Sequence, residues 1–253
     1  MTTIDLNCDL GESFGAYKMG NDDEILPFVS SINVACGFHA GDPFVMRQTV
    51  EKALKHNVAI GAHPGFPDLI GFGRRNMNVS ASEVYDYVLY QIGALDGFVK
   101  AAGAKMHHVK PHGALYNMAA TDPVIADAIV KAISHMNPDL LLYGLANSEA
   151  FIQAAEKYKV TFMQEVFADR TYKQDGTLTS RTEKNALITD EGEAIKQVLQ
   201  MVKEGYVETV NGEKVTVQAQ TICLHGDGEK AVQFAERIYR TFELNGVSIC
   251  APK

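Results

Sequence analysis

The sequence predicts an α/β fold in which parallel strands alternate with helices and close into a barrel. Short apolar runs recur along nearly the whole chain, and amphipathic segments of helical length separate them. Strands that alternate with helices form parallel sheets. A polar or charged residue also stands at or just beyond the end of most runs. The count favours a barrel of seven strands, or eight if a short last run joins them.

The predicted strands are apolar runs of about five to seven residues. We expect them at 4–9, 31–36, 58–63, 106–110, 139–145, 160–166 and 221–225, with the short last run at 247–250. Asn211-Gly212 separates two further alternating runs, 206–210 and 213–217. Asn-Gly favours the tight turn of a β-hairpin, so these two runs predict a small hairpin insertion.

The predicted helices begin at capping residues. Asp42-Pro43 opens a helix over 43–56, because Asp is a good N-cap and Pro suits the first helical position. Ser80 or Ser82 caps a second helix. Further helices are expected at 122–135, 148–158, 191–204 and 229–245.

Composition narrows the class of protein. A length of 253 residues suits one barrel domain over 1–253, and 46% hydrophobic residues suffice for one core. The net charge of -8 argues against nucleic-acid binding. The N-terminus lacks a signal-peptide pattern, and no apolar stretch is long enough to span a membrane, so we expect a cytoplasmic protein. Four scattered cysteines without a CxxC pair predict no disulfide scaffold.

Ionisable residues collect on one face of the predicted strands. Side chains alternate along a strand, so Asn7 and Asp9 lie opposite Leu6 and Cys8. The same parity and the same place at a strand end are shared by His39, His63, Lys110, His112, Glu165 and His225. Active sites of β/α barrels lie at the C-terminal ends of the strands. We therefore predict one catalytic site formed by Asp9, His39, His63, Lys110, His112 and Glu165.

Purely structural roles compete with this interpretation. Any single histidine could be a hydrogen-bonded packing group, and Lys110 could simply pair with Glu165 or Asp9. The arginines Arg74, Arg75, Arg170 and Arg181 lie in two long loops, where they are either solvated charges or ligands of a carboxylate or phosphate.

The sequence assigns no metal ligands. Asp and His at several strand ends could hold a divalent ion, but no HExxH, CxxC or other close-spaced pair is present. A divalent metal therefore remains an open alternative. No GxxxxGK[ST] segment occurs either, so any nucleotide is bound without a Walker A loop from this chain.

Six ordered segments resemble the LamB/YcsF lactam-utilisation family. They are DLNCDLGE at 5–12, NVACGFHAGD at 33–42, GAHPGFPD at 61–68, VKPHGALYN at 109–117, EVFADR at 165–170 and CLHGDG at 223–228. The resemblance implies a distorted TIM-type barrel of seven strands, of the glycoside hydrolase/deacetylase kind. It also implies action with subunits B and C, which together cleave 5-oxo-L-proline (pyroglutamate) to L-glutamate with hydrolysis of ATP to ADP and phosphate.

The chemistry of a lactam suggests roles for the candidate residues. Phosphorylation of the lactam oxygen would make the ring carbon accept water, after which the enzyme must move protons and stabilise negative charge. We expect Asp9 or Glu165 to be the general base, His63 or His112 the general acid, and Lys110 the group that stabilises negative charge. His39 would orient the base or substrate. Substrate contacts are expected from Asn7, Glu12, Gly37, Arg74, Asp169, Arg170, Arg181 and His225.

Two other functions fit the same pattern. A metal-dependent deacetylase of N-acetylated sugars would also place Asp and His at strand ends. A non-catalytic component that binds a lactam and passes it to its partners would need only the pocket.

Overall fold

Seven parallel strands form a closed barrel in the computed structural model, which describes residues 2–225 and 231–253 but not the side chain of His225. Its strands are β1 (Thr2–Leu10), β2 (Ser31–Ala35), β3 (Ala59–His63), β4 (His108–Val109), β5 (Leu141–Leu145), β6 (Phe162–Phe167) and β9 (Thr221–His225). They pair in chain order, and β9 pairs with both β6 and β1. The seven strands therefore close into a ring, which confirms the predicted seven-stranded barrel.

The last strand lies outside this ring. β10 (Val247–Ile249) pairs in parallel with residues Thr2–Ile4 of β1. β9 meets β1 only from Asp5 onward, so the first residues of β1 have a free edge that β10 covers. The short last run is thus a strand, but it is not an eighth member of the barrel.

The predicted hairpin insertion is also confirmed. It consists of β7 (Tyr206–Glu208) and β8 (Lys214–Thr216), which pair antiparallel. Gly212 in the connecting turn has a φ of 79°, a left-handed value that glycine adopts without strain.

Helices surround the barrel and follow most of the predicted capping signals. They are α1 (Asp22–Ile25), α2 (Pro43–Lys55), α3 (Ala81–Ala101), α4 (Gly113–Ala119), α5 (Pro123–Met136), α6 (Glu149–Tyr158), α7 (Glu191–Lys203) and α8 (Ala231–Leu244). The Asp42 side chain accepts hydrogen bonds from the first turn of α2. Ser80 caps α3 and forms a capping box with Glu83, which decides between Ser80 and Ser82.

One helix of the site has no clear signal in the sequence. α4 begins directly after His112 and has only seven residues, about two turns. A segment this short shows no reliable 3.6-residue period, and only residues 110–112 separate it from β4. It brings Tyr116 and Asn117 to the open end of the barrel.

The two faces of the strands have different partners. Ile4, Leu6 and Cys8 of β1 belong to the main apolar core. Asp5 and Asn7 make hydrogen bonds to side chains of other strands across the barrel interior. The predicted alternation therefore holds, and it gives the barrel an unusually polar interior.

Candidate active site

The lowest polar layer of the barrel is centred on Asp5. Its carboxylate accepts hydrogen bonds from Ser30 (2.6 Å), Ser31 (2.8 and 2.9 Å) and Thr221 (2.6 Å). Burial raises the pKa of Asp5, and the hydroxyl donors only partly oppose this effect. Asp5 lies too deep to reach solvent, so it is a structural support for the layers above it.

Two asparagines form the next layer and connect opposite strands. The Asn7 amide donates to Glu165 Oε1 (2.9 Å) and to Thr221 Oγ1 (2.7 Å). The Asn33 amide donates to Asn7 Oδ1 (2.7 Å) and to Asp9 Oδ1 (2.8 Å). These bonds fix the orientation of both carboxylates before any ligand arrives.

His108 completes this layer from β4. Its Nε2 lies 2.8 Å from Asn33 Oδ1, and its ring stacks on Tyr143 with centroids 4.0 Å apart. A Cβ at Gly61 of β3 would overlap this ring, so the close approach requires glycine there. Burial lowers the pKa of His108 well below its usual value, so the imidazole is neutral.

Lys110 stands at the centre of the site and is 2% exposed. Its Nζ lies 2.9 Å from Asp9 Oδ1, 3.0 Å from Glu165 Oε1 and 2.9 Å from Cys223 Sγ. Burial alone lowers the pKa of Lys110, but Asp9, Cys223 and Glu165 outweigh it and raise the pKa well above the ordinary value. These neighbours therefore favour the ammonium form of Lys110, which contacts both carboxylates.

Three histidines meet beside Asp9. His63 Nε2 lies 3.4 Å from Asp9 Oδ2 and 2.9 Å from His112 Nδ1. The rings of His39 and His112 stack with centroids 3.7 Å apart and an angle of 2° between their planes. Burial lowers the pKa of both His39 and His112 well below the usual value, and the neighbouring histidines add to this effect.

A loop between β3 and α3 closes over these rings. The backbone oxygen of Phe72 lies 2.8 Å from His112 Nε2, and the Phe72 ring packs edge-on against both His39 and His112. A Cβ at Gly73 would come within 2.8 Å of His112 and of His39. The loop backbone thus touches the imidazoles directly.

A narrow cavity of about 50 Å³ opens above this cluster and continues into a wider one of about 520 Å³. The narrow part is lined by Asp9, Glu12, His63, Arg74, Lys110, Pro111, His112, Gly113, Tyr116, Asn117, Phe167, Arg170, Leu178 and Arg181. The three arginines Arg74, Arg170 and Arg181 line both parts. The cavity is therefore acidic and histidine-rich at its inner end and basic at its outer end.

Comparison with known proteins identifies the family. The sequence profile described as the LamB/YcsF family matches residues 4–253. This chain belongs to the LamB/YcsF family.

Relatives of this LamB/YcsF chain match it over its full length. A Bacillus cereus protein, named as the A subunit of 5-oxoprolinase, is 90% identical over 253 residues, covering 100% of both chains. A Bacillus mycoides protein of the same name is 88% identical over 252 residues, covering 100% of this chain and 99% of the relative. The crystal structure of the lactam utilization protein from Thermus thermophilus is 46% identical. Its TM-score is 0.93, and the match covers 99% of this chain and 100% of that one.

The structure of this LamB/YcsF chain separates the predicted residues into three groups. Cavity-lining positions are held by Asp9, Glu12, His63, Arg74, Lys110, His112, Arg170 and Arg181. Buried positions directly beneath or beside the lining are held by Asn7, His39 and Glu165. Two predicted contacts lie elsewhere, because Gly37 is exposed in a turn closed by a bond to the Ala40 carbonyl, and Asp169 does not line the cavity.

The arginines differ in how they are held. Arg170 is 3% exposed and donates to the backbone oxygens of Thr179 (2.6 Å) and Ala186 (3.3 Å), so it anchors the long loop after β6. Arg74 and Arg181 are exposed at the cavity mouth. Arg75 pairs with Asp68 and does not line the cavity. The predicted contact at His225 lies outside the described side chains.

Sequence reasoning missed three groups that shape the site. Tyr116 and Asn117 reach the cavity from α4, and Cys223 accepts a hydrogen bond from Lys110. The parity of Cys223 in its strand placed it with His225, so a signal for its inward position was present. Tyr116 and Asn117 carried no comparable signal, because the short helix that holds them was not predicted.

The structure also brings together metal-binding donors that the sequence did not reveal. One ligand atom from each of Glu12, His39, His63 and His112 lies within 4.8 Å of the other three, and all four residues are buried. Successive members of this set are 24 to 49 residues apart in the sequence, so no local motif marks them. Among the described residues, no helix is both long and apolar enough to cross a membrane.

Proposed function

We propose that this chain works as the A subunit of an ATP-dependent 5-oxoprolinase. The complex would open the lactam ring of 5-oxo-L-proline to give L-glutamate while ATP is hydrolysed to ADP and phosphate. The observation that carries the proposal is 90% identity over all 253 residues to a protein that bears this name. The cavity at the end of the barrel supports it, because its groups match the needs of amide cleavage.

The chemical difficulty is that a five-membered lactam is an unactivated amide. Transfer of the γ-phosphoryl group of ATP to the lactam oxygen gives an imidate phosphate and ADP. Water then adds to the ring carbon, and the carbon–nitrogen bond breaks as the nitrogen takes up a proton. The resulting acyl phosphate reacts with a second water, which releases phosphate and leaves the side-chain carboxylate of glutamate.

Asp9 is best placed to accept the proton of the attacking water. The sequence left Asp9 and Glu165 as alternatives, but Glu165 is fully buried beneath Lys110 and does not line the cavity. Asp9 is 8% exposed and lines the narrow end. Once protonated, the same carboxyl group can pass its proton to the ring nitrogen as the ring opens.

Lys110 stabilises the negative charge that develops when water adds. Its ammonium is fixed by Asp9, Glu165 and Cys223 and lines the cavity, so it needs no reorganisation during the reaction. Glu165 keeps Lys110 charged and oriented from below. Lys110 and Glu165, which were both expected to be catalytic, thus contribute from different layers: Lys110 lines the cavity and Glu165 lies beneath it.

The histidines do not suit the general-acid role expected from the sequence. Backbone oxygens only accept hydrogen bonds, so His63 Nδ1 must carry the hydrogen shared with the Lys110 oxygen at 2.7 Å. His112 Nε2 must likewise carry the hydrogen shared with the Phe72 oxygen. These N–H groups therefore point toward backbone oxygens and away from the substrate.

The outer arginines supply the contacts for anionic groups. Arg74 and Arg181 lie at the mouth of the narrow cavity, and the buried Arg170 also lines it. Guanidinium groups suit the substrate carboxylate or the phosphoryl group after transfer. With no Walker A loop in the chain, we place ATP binding on a partner protein of the complex or at a shared interface.

A reconstitution assay tests the proposal. The purified chain is mixed with 5-oxo-L-proline and ATP, with and without subunits B and C, and ADP and glutamate are both measured. We expect equimolar ADP and glutamate only in the complete mixture. Glutamate formation without ATP, or ATP hydrolysis unchanged by omission of this chain, would contradict the proposal.

The same assay separates the two alternative functions. A sugar deacetylase would release acetate from N-acetylated sugars without ATP. A non-catalytic carrier would lose substrate affinity and activity in parallel when Asp9 is changed. We expect neither result. Ligand binding alone does not require a lysine buried between two carboxylates, as Lys110 is between Asp9 and Glu165.

A further inference from the structure

We propose that Glu12, His39, His63 and His112 bind one divalent transition-metal ion of the zinc class. Glu12, His63 and His112 line the narrow cavity, and His39 is buried beside them; the four donor atoms all lie within 4.8 Å of one another. His63 Nε2 lies 2.9 Å from His112 Nδ1, and Glu12 Oε1 lies 3.8 Å from His39 Nε2 and 4.0 Å from His112 Nδ1. Tetrahedral zinc with bonds of about 2.0 Å needs donors about 3.3 Å apart. The longest separations must therefore shorten by about 1.5 Å, and the stacked His39 and His112 rings must tilt so that both point at one ion.

The orientation of the His63–His112 pair gives the first indication of this site. The outer nitrogen of each ring donates to a backbone oxygen, as the Lys110 and Phe72 contacts require. The inner nitrogens, His63 Nε2 and His112 Nδ1, therefore face each other at 2.9 Å. Two imidazoles whose outer nitrogens are already bonded and whose inner nitrogens converge are oriented as two ligands of one ion. A metal ion satisfies both nitrogens without disturbing either outer hydrogen bond.

His39 gives a second, independent indication. It is fully buried, and neither of its ring nitrogens has a hydrogen-bond partner among the described residues. Buried polar groups are nearly always satisfied, so an imidazole in this position indicates a binding site for a ligand. His39 Nε2 points toward Glu12 Oε1 at 3.8 Å, which is too long for a hydrogen bond but suits two ligands of one ion.

The surroundings have the features of a metal site. Metal-binding histidines commonly donate their other N–H to a backbone carbonyl or a carboxylate, as His63 and His112 do here. Asp9 Oδ2 lies 3.4 Å from His63 Nε2, on the cavity side of the cluster. The donors are three imidazoles and one carboxylate, a set that favours zinc, cobalt or iron over magnesium or calcium.

The ion's role in the reaction rests on the function proposed above, whereas its binding does not. A metal at this wall of the cavity would polarise the lactam or phosphoryl oxygen, or lower the pKa of the attacking water beside Asp9. That role would explain why His63 and His112 turn their N–H groups away from the cavity.

Metal binding is tested on the isolated chain, without ATP or partner proteins. The protein is stripped with a chelator, dialysed against Zn²⁺ or Co²⁺ and then against buffer, and its metal content is measured by mass spectrometry. We expect one ion per chain, and for Co²⁺ the visible absorption of a low-symmetry site. His39→Gln and His63→Gln should each weaken Zn²⁺ binding by at least about 100-fold, whereas His56→Gln, at an exposed histidine, should bind like the unmodified protein.

Circular dichroism checks that each variant is folded. If a histidine variant misfolds, Glu12→Gln replaces it as the test of a ligand and should also weaken Zn²⁺ binding. The proposal is overturned if no saturable binding occurs, or if His39→Gln and His56→Gln bind equally well while both are folded. The imidazole pair would then share a proton instead. Metal binding with an inactive reconstituted complex would contradict the proposed function alone, and activity in a metal-free complex would contradict the metal's role.

Discussion

At the scale of single residues, the site is distinguished by how completely its polar groups are oriented by neighbours. Asn33 and Lys110 both hold Asp9 Oδ1, and His63 lies beside Asp9 Oδ2. The alternation of side chains along the strands predicted that Asp9, His63, Lys110 and His112 are neighbours, and all four line one cavity. This alternation could not show that Glu165 lies one layer lower, because depth in the barrel depends on the stagger between strands.

Replacement of Asp9 by Asn tests the proton-transfer role. An amide keeps the shape of the side chain but cannot accept the proton of water, so we expect kcat to fall by at least about 100-fold. The measurement is glutamate formation by the reconstituted complex under saturating substrate. Asp23→Asn, at an exposed acid that pairs with Lys52, serves as the control and should leave kcat unchanged. A turnover near that of the control would remove Asp9 from the mechanism.

The neutral buried imidazole of His108 predicts an acid-sensitive fold. Burial lowers its pKa in the folded state, so below the unfolded pKa of about 6.5 only the unfolded chain takes up this proton. The free energy of unfolding should therefore fall as the pH drops below about 6.5, by about 1 kcal/mol per pH unit for this group. His108→Gln should take up about one proton fewer on unfolding, so its free energy of unfolding should depend less steeply on pH. Urea unfolding between about pH 5 and 7.5 measures both proteins. Parallel pH curves for the two proteins would contradict this account.

At the scale of elements, helix starts were predictable and short elements were not. Asp42 and Ser80 act through hydrogen bonds to the next three residues, so their role is visible in the sequence. β4 has only two paired residues, His108–Val109, although five were predicted. α4 was missed altogether. Both elements exist because neighbouring strands and loops hold them, and local sequence carries little of that information.

The capping box of α3 gives a matched comparison of two serines. Ser80→Ala removes the cap and its reciprocal bond with Glu83, and should lower the free energy of unfolding by about 1 kcal/mol. Ser82 lies within the first turn of the same helix, so Ser82→Ala should change stability by less than about 0.5 kcal/mol. Urea unfolding at neutral pH measures both. Equal losses, or a larger loss for Ser82→Ala, would show that the capping box does not stabilise the helix.

At the scale of the whole molecule, the barrel is closed by strands and by the charged cluster inside it. Lys110 follows β4 and contacts Asp9 of β1, Glu165 of β6 and Cys223 of β9. One ammonium group therefore connects elements that are more than 200 residues apart in the chain. Its contribution can be separated from simple packing, because two of its partners are carboxylates whose burial without a counter-charge is costly.

Replacement of Lys110 by Met tests this cluster. The variant leaves two carboxylates close together without their cation, so we expect a loss of about 3–5 kcal/mol in the free energy of unfolding. Lys110→Met combined with Glu165→Gln should be less destabilised than Lys110→Met alone, since one of the uncompensated charges is gone. Lys100→Met, at an exposed lysine of α3, should lose less than about 1 kcal/mol. A double variant as unstable as the sum of its single changes would rule out charge as the cause.

Four features were predictable from the amino-acid sequence: the alternation of strands and helices, the main helix starts, the hairpin turn and the face of each strand that carries polar groups. These features depend on residues within one or two turns of each other, so they can be read along the chain. Three further features became visible only in the folded chain. Seven strands close the ring while β10 lies outside it, and Glu165 lies beneath Lys110. The donor atoms of Glu12, His39, His63 and His112 lie within 4.8 Å of one another. Those outcomes depend on strand stagger and on contacts between distant segments, and no local pattern encodes the distance between them.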